Sequence, residues 1–423
     1  MLNSRIENGA RGLISGVAAL VCAMLALAIS GCREKTIIAP PVGVEEKTED
    51  YWVRVLLANN VKNCSVRPES SYSILNSDTN TLIGRYTKSY TPVTISTKGG
   101  FLLIGNMPIK ASKITIVTDQ PFVFYLNDKG YRGEVQIICN TDGSIDAVNR
   151  VPMETYLAGV VGSEMPSYWE PQALKAQAIA SRTYCLYVKQ TSGRYRHYDV
   201  SKTQASQVYQ GLEAESPRVW QAVNETTGVV LYAKNDDGET ALMPAYFSAL
   251  CGGKTESAKK VFGNGWQSLA GGPCPYCIKT AKKDMYFWPT VQFDKKFVQA
   301  QLIAKYPSLA GLGDIVAIMI AERSELGQCT RLIRIRLIGA NGKGESIRAE
   351  DLRLAIDPTG QKIKSTMCQV NDNGKGFVFT QGRGFGHGVG LCQYGALEMA
   401  REGKTYRQIL DFYYPGSFQK KLY

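Results

Sequence analysis

The chain has 423 residues, 44% of them hydrophobic and 20% charged, which suits two or three compact units and excludes a disordered chain. The formal net charge of +12 favours an acidic partner. The basic residues are spread out, however, and no nucleic-acid motif occurs, so nucleic acid is not the expected partner. With two histidines, a metal centre of three or more His ligands is excluded.

Residues 1–32 read as an export segment. Arg5 and Arg11 precede the apolar run "LISGVAALVCAMLALAIS", which is followed by Gly31 and Cys32. Small residues before a cysteine resemble a bacterial lipoprotein box with Cys32 acylated; a plain membrane anchor also fits. Either way the remaining chain lies outside the cytoplasm, membrane-anchored and facing the periplasm or cell wall. Residues 33–50 contain Pro40 and Pro41 and read as a linker.

From Tyr51 onward the pattern predicts strands. "YWVRVLLA", "SYSIL", "TPVTIS", "FLLIG", "KITIVT", "FVFYL" and "GEVQIIC" are short, rich in β-branched and aromatic residues, and separated by turn formers. "YRGEVQIICNTDGSIDAVNRV" reads as a hairpin turning at "NTDG". Pro171 opens a helix on which Leu174, Ala178, Ser181, Cys185 and Val188 form an apolar stripe. Lys175 and Arg182 share a second face and Gln177 and Tyr184 a third, so this helix is expected to be buried, with its charges paired.

A second helix is predicted in "SPRVWQAVNETTG", capped by Ser216. Residues 290–356 read as an inserted α/β element: "DKKFVQAQLIAKYP" is helical, while "DIVAIMIAERS" and "TRLIRIRLIG" form a hairpin. Five glycines alternate from Gly382 to Gly390, a spacing that bars regular helix. A helix runs from Gln393 to about Glu402, and Thr405 with Gln408 forms a capping box for the next. The expected fold class is α+β: a β-rich N-terminal region followed by a mixed α/β catalytic core with an inserted element.

Glu164 is the leading catalytic candidate. It lies among Gly162, Ser163, Met165 and Pro166, with Tyr168 and Trp169 nearby. A carboxyl in such surroundings loses water, which raises its pKa and keeps a proton on it near neutral pH. One such acid can donate a proton and then recover one. Lys175 or Arg182 would steady its anion, although a structural ion pair is the plainer reading of these residues. His387, flanked by glycines, reads as functional because no side-chain bulk adjoins it. Cys251, Cys392 and the "CPYC" pair Cys274 and Cys277 could hold a structural zinc ion, oxidise to disulfides or stay free thiols. The glycine run is not a dinucleotide loop, and "EGKT" at 402–405 is not a phosphate loop, because Glu398 stands where the first glycine should be.

"VPMETYLAGVVGSEMPSYWEPQALKAQAIASRTY" (151–184) and "GRGFGHGVGLCQYGALEMAREGKTYRQILDFYYPG" (382–416) resemble the two hallmark stretches of the stage II sporulation protein D / amidase-enhancer family. "YRGEVQII" (131–138), "SQVYQG" (206–211), "YFSALCGGKTES" (246–257) and "IKST" (363–366) fit between them. The resemblance spans about residues 125–418; residues 51–124 are less diagnostic. It implies a peptidoglycan lytic transglycosylase that acts on glycan strands stripped of stem peptides and leaves 1,6-anhydro-N-acetylmuramic acid ends. Glu164 would be the acid/base, and Lys175, Gln177, Arg182, His387, Gln393 and Tyr394 would contact substrate. No cofactor is required. The zinc site of some clostridial members is not expected here, since Tyr198, Ala205 and Ser206 stand at its places. The alternative is a non-catalytic glycan-binding enhancer of a cell-wall amidase.

Overall fold

The computed structural model describes residues 51–324 and 330–423. The export segment with Cys32 and the linker at 33–50 lie outside the described residues. The N-terminal part is strand after strand: β1 (Trp52–Val61), β2 (Cys64–Pro68), β3 (Tyr72–Asn76), β4 (Leu82–Tyr86), β5 (Val93–Lys98) and β6 (Phe101–Ile104). It continues through β7 (Met107–Ile109), β8 (Lys113–Thr118), β9 (Val123–Leu126), β10 (Lys129–Arg132), β11 (Glu134–Cys139) and β12 (Ile145–Pro152). With β13 (Val200–Ser201) these form a seven-stranded sheet, β13-β1-β12-β11-β8-β3-β4, and a six-stranded sheet, β10-β9-β2-β5-β6-β7.

Each strand forms where one face can be buried. β2, "CSVRP", alternates buried and half-buried residues. Its polar residues and Pro68 masked it among turn formers, so it was not expected as a strand. β12 is buried along almost its whole length and lies between β1 and β11. The expected hairpin joins β11 to β12: Asn140 N–H donates to the Ser144 carbonyl at 2.8 Å, and Gly143 supplies a φ of +80°. The seven-stranded sheet mixes strands from before and after residue 125, so the β-rich region and the core after it share one sheet. At the step from β10 to β11, Gly133 has a φ of +90°, and a Cβ there would lie 2.4 Å from the Arg150 carbonyl oxygen.

Helix α1 (Met153–Glu164) follows β12 without a break, and α2 (Pro171–Gln190) buries residues on most of its circumference, as expected for a helix with three occupied faces. α3 (Pro217–Asn224) starts at Ser216, whose hydroxyl accepts from Val219 N–H at 3.2 Å. A second apolar core runs from Trp288 to Phe379. It holds α4 (Lys295–Lys305), α5 (Ala349–Ile356), the hairpin Ile315–Arg323 with Leu332–Gly339, and the sheet formed by Val291–Asp294, Gly376–Thr380 and Gln369–Asp372. This core extends past residue 356, because Phe377 and Phe379 complete it. α6 (Gln393–Arg401) and α7 (Tyr406–Tyr413) follow, the latter with the expected capping box, and the final strand Phe418–Lys421 pairs with Val229–Lys234.

Candidate active site

Glu164 is the last residue of α1. Pro166 disfavours helical geometry at the residue before it, and Met165 is extended, with φ −131° and ψ 137°. The Glu-Met-Pro order therefore ends the helix at the acid. A carboxylate at this negative pole of the helix dipole is disfavoured, which acts in the same upward direction on its pKa as burial does.

Small residues on α1 bring a second segment against it. A Cβ on Gly159 would lie 2.5 Å from the Tyr209 ring, and one on Gly162 would lie 1.9 Å from the Ala214 carbonyl oxygen. Residues 208–214 can thus lie directly on the helix, and Val208 N–H donates to Glu164 Oε1 at 2.8 Å. Gln210 N–H donates to Ser163 Oγ at 3.1 Å. Buried tyrosines lock this segment: Tyr156 donates to Gln207 Oε1 and Tyr209 to Asn149 Oδ1, each at 2.9 Å.

The opposite wall is the start of α6. Gln393 Nε2 donates to Glu164 Oε2 at 3.1 Å and to Gln177 Oε1 at 3.4 Å. Gln177 Nε2 in turn donates to Ser181 Oγ at 2.9 Å. Glu164, Gln393 and Gln177 thus form one polar chain, which joins three of the residues singled out from sequence. Glu164 is closely surrounded but keeps partial solvent access. Burial raises its pKa above the ordinary carboxylate value, and the donors Val208 and Gln393 oppose that rise. Tyr394 packs edge-on to Trp169 at 4.9 Å, and Tyr168, which sequence analysis noted only as a neighbour, is 76% exposed beside the acid's turn. The contribution of Val208 was legible only indirectly, in the spacing of Gly159 and Gly162.

The basic residues sit elsewhere than expected. Arg182 is fully buried and grips Glu154 through Nε at 2.8 Å and Nη2 at 2.5 Å, and it donates to the Val229 carbonyl at 3.0 Å. Glu154 also accepts from Tyr423 Oη at 2.6 Å and from Gly228 N–H at 3.2 Å. Glu154 lies in the first turn of α1, ten residues and about 15 Å of helix from Glu164. Arg182 therefore neither steadies Glu164 nor reaches a glycan. A buried guanidinium needs a buried anion, and Glu154 supplies it. Lys175 pairs with Glu225 just past α3, so it too is held by another carboxylate.

His387 is half-buried and lies apart from the Glu164 network. Its Nδ1 accepts from Val389 N–H at 3.0 Å, and its ring lies 5.1 Å from that of Phe262 and 6.1 Å from that of Tyr246. Burial lowers its pKa to about 4, against the opposing pull of Glu350, so the imidazole is neutral at pH 7. Its aromatic neighbours come from distant segments of the chain. The glycines serve the backbone instead: a Cβ on Gly390 would lie 2.1 Å from the Tyr246 carbonyl oxygen.

Apart from this network, Cys251, Cys274, Cys277 and Cys392 gather in the interior, with all four sulfurs within 4.8 Å of one another. The four cysteines singled out from sequence are thus brought together, with no disulfide between them.

The family model for stage II sporulation protein matches residues 141–232, the stretch that contains Glu164, α2 and Val208. An uncharacterised protein of Brachyspira hyodysenteriae is 33% identical over 293 residues, covering 69% of this chain and 73% of that protein. Stage II sporulation protein D of Bacillus subtilis is 30% identical over 285 residues, covering 64% of this chain and 75% of its own length. The amidase enhancer of Bacillus subtilis is 30% identical over 303 residues, but the match spans only 40% of that longer protein. The chain belongs to the stage II sporulation protein D family.

Proposed function

We propose that this protein acts on the cell wall as a lytic transglycosylase, cleaving peptidoglycan glycan strands with Glu164 as the single general acid and base. The observation that carries this reading is the setting of Glu164. It is a carboxyl with a raised pKa at a helix C-terminus, reachable by solvent, whose hydrogen-bond partners among the described residues are an amide and a carboxamide, not a second carboxylate. Hydrolytic glycosidases usually need two carboxylates. A transglycosylase needs one, because the substrate supplies its own nucleophile.

In the proposed step, protonated Glu164 gives its proton to the glycosidic oxygen as the bond to C1 of N-acetylmuramic acid breaks. The C6 hydroxyl of that sugar attacks C1, and its proton returns to Glu164. The products are a 1,6-anhydro end and a free 4-hydroxyl, with no water consumed and the enzyme restored. Gln393 and the Val208 amide hold the carboxylate between the two transfers. Exposed Tyr168 offers a ring face for a sugar. The overall positive charge attracts the lactyl carboxylates of stripped strands; Lys175 and Arg182, already paired, are not assigned that task. Membrane anchoring through an acylated Cys32, and export to the cell-wall side, belong to the same proposal.

The name of the amidase enhancer favours a second reading, in which the protein binds glycan and stimulates an amidase without cutting. Incubation of the purified protein with stripped glycan strands separates the two. Mass spectrometry detects 1,6-anhydro ends from a transglycosylase and finds intact strands with a binding module.

A further inference from the structure

The cysteine cluster lies outside the Glu164 network, and its geometry suits a metal ion. The sulfur of Cys251 lies 3.6 Å from that of Cys277. A tetrahedron with 2.3 Å zinc–sulfur bonds has edges of about 3.8 Å, so the spacing fits four thiolates around one ion. It is far longer than the roughly 2.05 Å of a disulfide. The "CPYC" spacing of Cys274 and Cys277 is that of a zinc knuckle.

The surroundings are arranged as for thiolate ligands. Cys251 N–H points at Cys392 Sγ at 3.3 Å, and the Tyr413 hydroxyl lies 3.3 Å from Cys274 Sγ. Gly395 keeps the space open: a Cβ there would lie 1.9 Å from the Tyr413 hydroxyl and 3.1 Å from Cys274 Sγ. All four cysteines are buried, at most 1% exposed. Four plain thiols could be packed singly among apolar side chains as small hydrophobes; nothing in such packing requires them to converge with donors aimed at their sulfurs.

We infer that Cys251, Cys274, Cys277 and Cys392 bind one structural zinc ion that fastens the start of α6 to the 251–277 segment. Zinc suits four soft thiolates in a closed tetrahedral site and brings no redox chemistry of its own. The need for such a fastening is local. The run from Gly382 to Gly390 has glycine at every second position and loses much backbone entropy on folding. It leads straight into Cys392, and the next residue, Gln393, donates to Glu164. A bond to metal at Cys392 fixes this wall, and closing a link between residues 251 and 392 ties together segments 141 residues apart. The inference stands whether or not Glu164 cuts glycan.

The test is metal analysis of the protein purified without chelator. One zinc per chain is expected, and cobalt exchanged into the site should give the intense visible bands of tetrahedral thiolate-bound cobalt. The double variant C274S/C277S should lose the zinc, while C139S, which alters a partly exposed cysteine elsewhere, should keep it. Hydrogen exchange should rise in residues 388–396 when a thiol-directed reagent releases the metal, and the sheet at 113–152 should stay protected. If the double variant does not fold, the wild-type stoichiometry and cobalt spectrum still decide. Wild-type protein with only a trace of zinc, or with the four cysteines joined as two disulfides by mass, overturns the inference; so does zinc retained by a folded C274S/C277S variant.

Discussion

Glu164→Gln removes the proposed proton donor while keeping the shape of the side chain. A positioned acid or base contributes about 10² to 10⁴ in rate, or roughly 2.7–5.5 kcal/mol at 1.36 kcal/mol per tenfold. Glu164 is assigned both transfers, so a loss toward the upper end is expected. The structure also indicates the cost to folding. Val208 N–H is a fixed donor, so the new carboxamide must turn its oxygen to Val208 and its NH₂ to Gln393. Gln393 must then rotate its amide to offer oxygen, giving up its 3.4 Å contact with Gln177. One mismatched polar contact costs about 1–3 kcal/mol, which a folded domain of this size survives. The assay is the rate of 1,6-anhydro end formation from stripped strands, with thermal melting as the control. A folded variant that cuts within tenfold of the native rate refutes the assignment.

Four further outcomes follow from named contacts. Glu154→Gln or Arg182→Met should destabilise the fold by about 3–5 kcal/mol in denaturant titration, because each leaves a buried charge unpaired, whereas Lys175→Ala should cost at most about 1 kcal/mol because its partner Glu225 is 42% exposed. Gly162→Ala should push the 208–214 segment off α1, and activity should fall with a stability loss of about 1–3 kcal/mol; unchanged kinetics in that variant would show that Val208 is not needed. Activity that requires protonated Glu164 should decline as pH rises through its elevated pKa, and Gln393→Leu, which removes a donor to the anion, should move that decline to higher pH in a pH–rate profile. His387 has a folded pKa of about 4, below the usual 6.5. The unfolded state therefore takes up the proton first, so this residue's contribution to stability should be full above pH 6.5 and lost as pH falls toward 4, and His387→Phe should flatten that part of the stability–pH curve.

The sequence was a good guide wherever the determining forces are local. Alternating β-branched residues gave most strands of both sheets, Ser216 and Thr405 announced their helices through their own hydroxyls, and Pro166 dictated that α1 stop at Glu164. β2 escaped notice because its strand character comes from partners β5 and β9, not from its own residues. Gln393 and Gln177 were identified as site residues through their place in the hallmark stretches, yet the hydrogen bonds that join them to Glu164 span 229 and 216 residues of chain.

By itself the sequence determined which chemical groups are present and where helices must break: one acid at a forced helix end, four cysteines, and a glycine run that no regular helix can hold. Only the tertiary structure decided who meets whom. A buried cation takes the nearest buried anion that folding supplies, so Arg182 went to Glu154 and not to Glu164. His387 is neutral at pH 7 because folding sets it beside Phe262 and Tyr246, where lost solvation lowers its pKa. Pairing and desolvation depend on atoms a few ångströms away in space, and spacing along the chain carries no information about those distances.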